Sequence, residues 1–211
     1  GVRFDDTLAS VTDDDGGLRS RNDLRLGMTA DVRGSAITTD ASGTVVSTAS
    51  AIAFGSDILG VLDSIDVAGK QLVVLGQPVD TNVATVFDDS SVVGGLPALT
   101  VGDVVEVYAL FNTATGRYTA TRIERKSAVA AYRLRGLVSN LNTATREFNI
   151  GTQRVSYLAY AGSVAALANG NFVRVRLQTA QVGGAWPVVG VNDGVQQPRE
   201  LDEVRLEGLI N

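Results

Sequence analysis

Apolar and polar residues alternate at a period of two in several short segments of the chain. Examples are "TADVRG" from Thr29, "DVVEVYAL" from Asp103, "YTATRIE" from Tyr118 and "FVRVRLQT" from Phe172. This alternation is typical of half-buried β-strands. One segment, residues 161–170 ("AGSVAALANG"), is the best candidate for a short helix, with Ser163 as a possible cap and Gly170 as its stop. The pattern predicts an all-β protein.

Two series of glycines recur at the same interval of about seventy residues. The first series precedes an alternating strand each time and consists of Gly27, Gly102 and Gly170. We expect these glycines to supply a positive-φ turn into the strand. The second series lies at the centre of an opening strand and consists of Gly60, Gly136 and Gly208. Each copy therefore reads as an opening strand, a hairpin of two strands, a linker, a glycine-led strand and a closing strand.

The strand count of each copy favours a small barrel. Five or six strands in about seventy residues fit an OB-like closed or nearly closed barrel, whereas a layered sandwich needs longer strands. We therefore predict three tandem barrels in an extended rod, followed by an isolated C-terminal strand. The predicted segments are residues 1–57, a first barrel that lacks its first strand; 58–130, a second barrel; 131–203, a third barrel; and 204–211, a lone first strand.

These repeated segments resemble a bacterial family known as domain of unknown function 5666. The matching segments in the second copy are "GVLDSI" from Gly60, "VVLGQPVD" from Val73, "LTVGDVVEV" from Leu99 and "GRYTATRIE" from Gly116. The third copy departs most, and Pro187 in its closing strand predicts an edge or a bulge. The resemblance implies an exported, often lipoprotein-like protein built from tandem small β-barrels, and it implies no catalytic residues.

Composition narrows the possible functions further. The net charge is −5, so the chain offers no basic field for nucleic acid. The absence of cysteine and histidine removes disulfides, thiolate or imidazole metal sites and imidazole-based catalysis. No apolar run approaches the roughly 20 residues of a membrane helix. We therefore expect no enzymatic activity, no cofactor, no nucleic-acid partner and no membrane insertion, and an extracellular or cell-surface location with the periplasm as the alternative.

Two groups of residues are candidates for ligand binding. Asp13, Asp14 and Asp15 are consecutive carboxylates that make a weak Ca²⁺ candidate, because their spacing does not fit an EF-hand and an exposed acidic turn explains them more simply. Trp186 and the scattered tyrosines are candidates for stacking on sugars or bases, although core packing is their commoner use.

The two ends of the chain complement each other. The first copy begins at its second strand, while residues 204–211 form only a first strand, which is unstable alone in water. We predict that this strand completes the first barrel of a neighbouring molecule, giving a structural head-to-tail homopolymer. The predicted interface residues are Leu206, Gly208, Leu209, Ile210, Val2 and Phe4. Two alternatives remain: a surface or periplasmic binding module for a glycan or other small ligand that is a fragment of a longer covalent repeat array, and closure of the first barrel within one molecule.

Overall fold

The computed structural model describes residues 2–193 and 204–209 of the chain. Strands make up 52% of the described residues and helices 3%, so the predicted all-β class is confirmed. The helices of the described residues are two single 3₁₀ turns, Arg21–Asp23 and Leu96–Ala98.

The strands are numbered here in chain order. The first six are β1 (Arg3–Asp5), β2 (Ser10–Asp13), β3 (Leu18–Arg19), β4 (Thr29–Gly34), β5 (Thr38–Thr39) and β6 (Val45–Phe54). The next six are β7 (Ile58–Asp66), β8 (Gln71–Val74), β9 (Gln77–Asp80), β10 (Val86–Phe87), β11 (Val104–Asn112) and β12 (Arg117–Lys126). The last six are β13 (Tyr132–Asn142), β14 (Glu147–Ile150), β15 (Gln153–Ser156), β16 (Phe172–Leu177), β17 (Trp186–Asp193) and β18 (Val204–Leu209).

The chain divides into two compact units. Unit 1 consists of residues 1–55 and 197–211, and unit 2 consists of residues 56–196. The C-terminal strand β18 therefore belongs to the same unit as the N-terminal strands.

Unit 2 contains a closed five-stranded barrel. β7 pairs with β8 and β8 with β9, both antiparallel; β9 runs parallel to β12, β12 is antiparallel to β11, and β11 returns to β7. Its inward positions are fully buried apolar side chains, among them Ile58, Leu72, Val79, Val107 and Ile123. This alternation of buried and exposed positions is the pattern read from the sequence.

β10 pairs in parallel with β12, and the five strands from β13 to β17 pair in the same order as the barrel strands. β13 pairs with β14, β14 with β15, β15 in parallel with β17, β17 with β16, and β16 with β13. A register shift lies in the β16–β17 pairing, where Val188 and Gly190 face consecutive residues. The extra residue of this bulge is Val189, two residues after Pro187, so the bulge lies close to the proline that predicts it.

The glycines that precede the glycine-led strands have the positive φ angles that the repeat predicts. Gly27, Gly102 and Gly170 have φ angles of 84°, 95° and 86°, the left-handed region in which a side chain is disfavoured. The two-residue hairpin between β8 and β9 also has positive φ, with Leu75 at 46° and Gly76 at 64°, as a type I′ turn requires.

The predicted helix at residues 161–170 is wrong. This segment forms turns, in which the Ser163 hydroxyl accepts a hydrogen bond from the Ala165 N–H and the Leu167 N–H donates to the Val164 carbonyl. A helix of so few residues is marginal in water, and Val164 and Leu167 are instead packed against the apolar core.

Unit 1 is built around β6. β1 and β2 pair with one edge of β6 in parallel, while β4 and β5 pair antiparallel with the other edge. β18 pairs antiparallel with the far edge of β4. The buried apolar residues of the unit include Val11, Met28, Ala49, Ile52 and Phe54.

Candidate assembly site

β18 occupies the position in unit 1 that the opening strands occupy in unit 2. The central glycine of each opening strand faces one residue of the glycine-led strand: Gly60 faces Val105, Gly136 faces Val173, and Gly208 faces Ala30. Each of these partners is the third residue after the turn glycine that starts its strand. β18 is therefore in register with β4 as an opening strand.

The structure brings some of the predicted interface residues together. Leu206, Gly208 and Leu209 lie in β18 and face positions of β4, where Thr29 and Ala30 are buried. The remaining residues do not join them in this strand pair. Phe4 pairs across from Ser47 of β6, Val2 precedes β1, and Ile210 lies outside the described residues.

In unit 2, each opening strand also pairs through the edge that faces away from its glycine-led strand. β7 and β13 pair with each other antiparallel, with Ile58 facing Leu134 and Leu59 facing Arg133. The Arg135 N–H donates to the Asp57 carbonyl at 2.8 Å, and the Arg135 guanidinium lies 3.2 Å from the Asp57 carboxylate. The Asp57 side chain is only 3% exposed, so this ion pair is largely shielded from water. We call this pairing the opening-strand junction.

Charged residues from neighbouring strands surround the opening-strand junction. Glu106 of β11 accepts a hydrogen bond from Ser56 at 2.9 Å, lies 2.7 Å from the Lys126 ammonium and lies 3.5 Å from the Arg133 guanidinium. Glu124 contacts the same ammonium at 2.7 Å. Positive and negative groups alternate here, which is typical of a structural ion-pair network.

The carboxyl group of Glu124 in this network is held in its ionised form. Burial opposes the ionisation of Glu124, but hydrogen bonds from Lys126 and Arg122 outweigh it and lower the pKa of its carboxyl. Arg122 is buried and also forms an ion pair with Asp88. Sequence reasoning missed this network. The sequence does show opposite charges at polar positions of the alternating strands. These charges could not be assigned to one another, because the pairing of β7 with β13 was not predicted.

Unit 1 also contains a polar groove of about 510 Å³. Its lining includes Phe4 and Asp5 of β1, Ser47 of β6, and Asp40. Hydrogen bonds from Thr7 lower the pKa of the Asp5 carboxyl, and Asp40 accepts hydrogen bonds from its own turn. The groove thus presents ionised carboxylates that are already engaged in local turns.

The acidic run at residues 13–15 is built into a turn. Asp13 accepts hydrogen bonds from the backbone N–H of Asp15 and Gly17 at 3.0 and 2.7 Å, and it pairs with Arg19 at 2.6 Å. Within residues 2–193 and 204–209, no three acidic, histidine or cysteine side chains are grouped so that they could hold a metal ion.

The aromatic candidates take part in packing. The Trp186 indole N–H donates to Gln153 at 2.8 Å, and its ring lies edge-on to Tyr132 at 5.6 Å between centroids. Tyr118 is fully buried, and its hydroxyl donates to the Arg135 carbonyl.

None of the helices in the described part of the chain has the length and apolar character needed to cross a membrane.

No curated protein and no solved structure is significantly similar to the chain. Residues 60–124, which run from the opening strand β7 to the closing strand β12, match the model of the family described as Domain of unknown function (DUF5666), so the resemblance read from the sequence is confirmed for this segment.

Proposed function

We propose that the chain is a non-enzymatic structural protein of the cell surface or extracellular space whose molecules join head to tail. In this proposal each copy of the repeat is a small OB-like barrel, and β18 of one molecule completes unit 1 of the next. The observation that carries the proposal is the register of β18, in which Gly208 faces Ala30 as Gly60 faces Val105.

The same strand pairing is available within one molecule and between molecules. β18 is joined to β17 by residues 194–203, and the backbone hydrogen bonds to β4 are the same whichever molecule supplies the strand. Exchange of an identical element between protomers is a common route to assembly, and a head-to-tail exchange that does not close grows as a filament. Main-chain hydrogen bonds then provide the affinity, and the alternating side chains provide the specificity.

Disulfide trapping tests which molecule supplies the strand. Glu207 faces Asp31, and residues that face each other in an antiparallel pair have Cα atoms about 4.5–5.5 Å apart, a separation that a disulfide can bridge. The chain has no cysteine, so the double variant D31C/E207C carries one designed pair. We expect a ladder of covalent multimers on a non-reducing gel. A single intramolecularly linked band at every protein concentration would contradict donation between molecules.

Two controls sharpen this test. The double variant D31C/R205C places the cysteines two positions out of register, because Arg205 faces Arg33, and it should give little crosslinking. Deletion of residues 204–211 should abolish filaments in negative-stain microscopy and destabilise unit 1. Filaments that persist after this deletion would rule out the strand as their connector.

A second candidate function is a surface or periplasmic module that binds a glycan or another small ligand. The groove of about 510 Å³ in unit 1 favours it. A glycan array that is probed with the intact protein tests this function. Loss of any signal in the S47A variant, with binding kept in S139A as a control in unit 2, would place the ligand in the groove.

A further inference from the structure

We propose that β18 pairs with β18 of a second copy of the chain about a two-fold axis, through the edge that faces away from β4. Among the residues that the structure describes, β18 pairs with β4 alone. This contact is separate from strand donation, because it uses the opposite edge of the strand and is the same whether β18 completes its own unit 1 or that of a neighbour.

The opening-strand junction of unit 2 provides the template. Ile58 and Leu134, each two residues before the central glycine of its strand, face one another. On one side of this pair Leu59 faces Arg133, and on the other side the Arg135 N–H donates to the Asp57 carbonyl. Across the junction, the residue three positions before the central glycine of one opening strand therefore faces the residue one position before the central glycine of the other. This arrangement has a local two-fold axis between the facing pair.

The same register applied to β18 gives a self-complementary contact. Leu206, two residues before Gly208, faces Leu206 of the second copy. Arg205, three residues before Gly208, faces Glu207 of the second copy, and the symmetry repeats this pair on the other side of the axis. Opposite charges that face each other across an antiparallel pair are stabilising. β18 thus carries opposite charges, Arg205 and Glu207, at the two positions that face each other in this register.

The charges on the neighbouring strands follow the same scheme. In unit 2, the like-charged pairs Arg133–Arg176 and Arg135–Arg174 face each other on β13 and β16. Acidic groups from across the junction balance them: Glu106 lies 3.5 Å from Arg133, and Asp57 lies 3.2 Å from Arg135.

Unit 1 repeats this arrangement of like charges. Arg205 faces Arg33, and Glu207 faces Asp31. A second copy that is paired through β18 places a negative pair beside each positive pair, where the junction of unit 2 places a single acidic residue near each arginine pair. The partner that fits this edge is therefore another β18 in antiparallel orientation.

Charge reversal tests the contact. R205E places two glutamates opposite each other at both ends of the symmetric pair, and E207R does the same with arginines. We expect each single variant to need about tenfold higher protein concentration to associate in sedimentation, because two attractive pairs become repulsive. The double variant R205E/E207R restores opposite charges and should associate as the wild type does. The control D89R changes the net charge as E207R does, at an exposed residue of unit 2, and should have no effect.

The single charge reversals also separate the two proposals. Each one makes the facing pair between β18 and β4 attractive, since Glu at 205 faces Arg33 and Arg at 207 faces Asp31. Strand donation should therefore be kept in both variants while the two-fold contact is weakened. Equal association of the wild type, both single variants and the double variant would overturn the two-fold contact.

A mixed crosslinking experiment tests the register directly. Proteins with the single substitutions R205C and E207C should form a disulfide-linked heterodimer when they are mixed, since these positions face each other. Each protein alone should crosslink poorly, because its two cysteines are offset by two residues, about 7 Å along the strand. Heterodimer without the D31C/E207C ladder would support the two-fold contact and refute donation. Absence of the heterodimer from the mixture would refute the two-fold contact.

Discussion

The central glycine of an opening strand leaves no room for a side chain, and its replacement should destabilise unit 2. A Cβ on Gly60 would lie 2.3 Å from Cγ and 2.4 Å from Cδ1 of Leu75. Leu75 is only 2% exposed, and its backbone is fixed in the tight turn between β8 and β9, where its N–H donates to the Val61 carbonyl at 3.0 Å. The leucine therefore cannot withdraw without disturbing the hairpin.

The expected magnitude follows from two opposing effects. Adding a methyl group to a filled core costs about 1–3 kcal/mol of unfolding free energy. Replacing glycine by alanine also restricts the unfolded chain, which returns about 0.4–1 kcal/mol. We therefore expect G60A to lower the free energy of unfolding by about 1–2 kcal/mol.

Gly190 provides a matched control in the same unit. It also lies in a strand, but a Cβ added there would come no closer than 3.5 Å to any atom of the Arg176 side chain, an ordinary contact. G190A should therefore be neutral or slightly stabilising. Urea unfolding monitored by the fluorescence of Trp186, the single tryptophan of the chain, measures both variants. Equal stability of G60A and G190A would refute the steric role of Gly60.

Two further predictions concern stability. Hydrogen bonds, the strongest from Ser90, outweigh burial and lower the pKa of the Asp88 carboxyl to about 2, below its ordinary 3.8. The ionised carboxylate thus contributes up to about 2 kcal/mol above pH 4, and this is lost as the pH falls from about 4 to about 2. Urea titrations should show that D88N lacks this contribution while D89N keeps it. Y118F removes the hydrogen bond to the Arg135 carbonyl and should cost about 1–3 kcal/mol in the same assay, and an unchanged midpoint would contradict that role.

Several strands and the equivalence of the opening strands were predictable because local signals determine them. Alternation at a period of two identified β4, β11, β12 and β16, and the turn glycines marked where the glycine-led strands begin. Alignment of Gly60, Gly136 and Gly208 anticipated that the three opening strands are equivalent. Their equal registers in the structure follow from this alignment, since each glycine faces the third residue after a turn glycine.

Features that depend on tertiary contacts were not predictable. The apolar residues Val164 and Leu167 suggested a helix, but they pack against the core from a series of turns. The sequence also explains Gly60 only in part. The repeat places this glycine at the centre of an opening strand, whereas the reason for a glycine there, the close approach of the Leu75 side chain, is visible only in the structure. The pairing of β7 with β13, and with it the Asp57–Arg135 ion pair, requires two separate parts of the chain to meet.

The two edges of β18 have different consequences for assembly. An edge strand with unpaired backbone groups tends to recruit another strand, and proteins limit this with charged residues or by pairing the edge. Arg205 and Glu207 are charges of opposite sign, so they discourage pairing with a strand of uniform charge and favour an antiparallel copy of β18. Pairing through β4 extends a chain of molecules in one direction, whereas the two-fold pairing closes on itself and joins two molecules only. If both contacts form, filaments are linked in pairs, and R205E should separate the pairs without shortening the filaments.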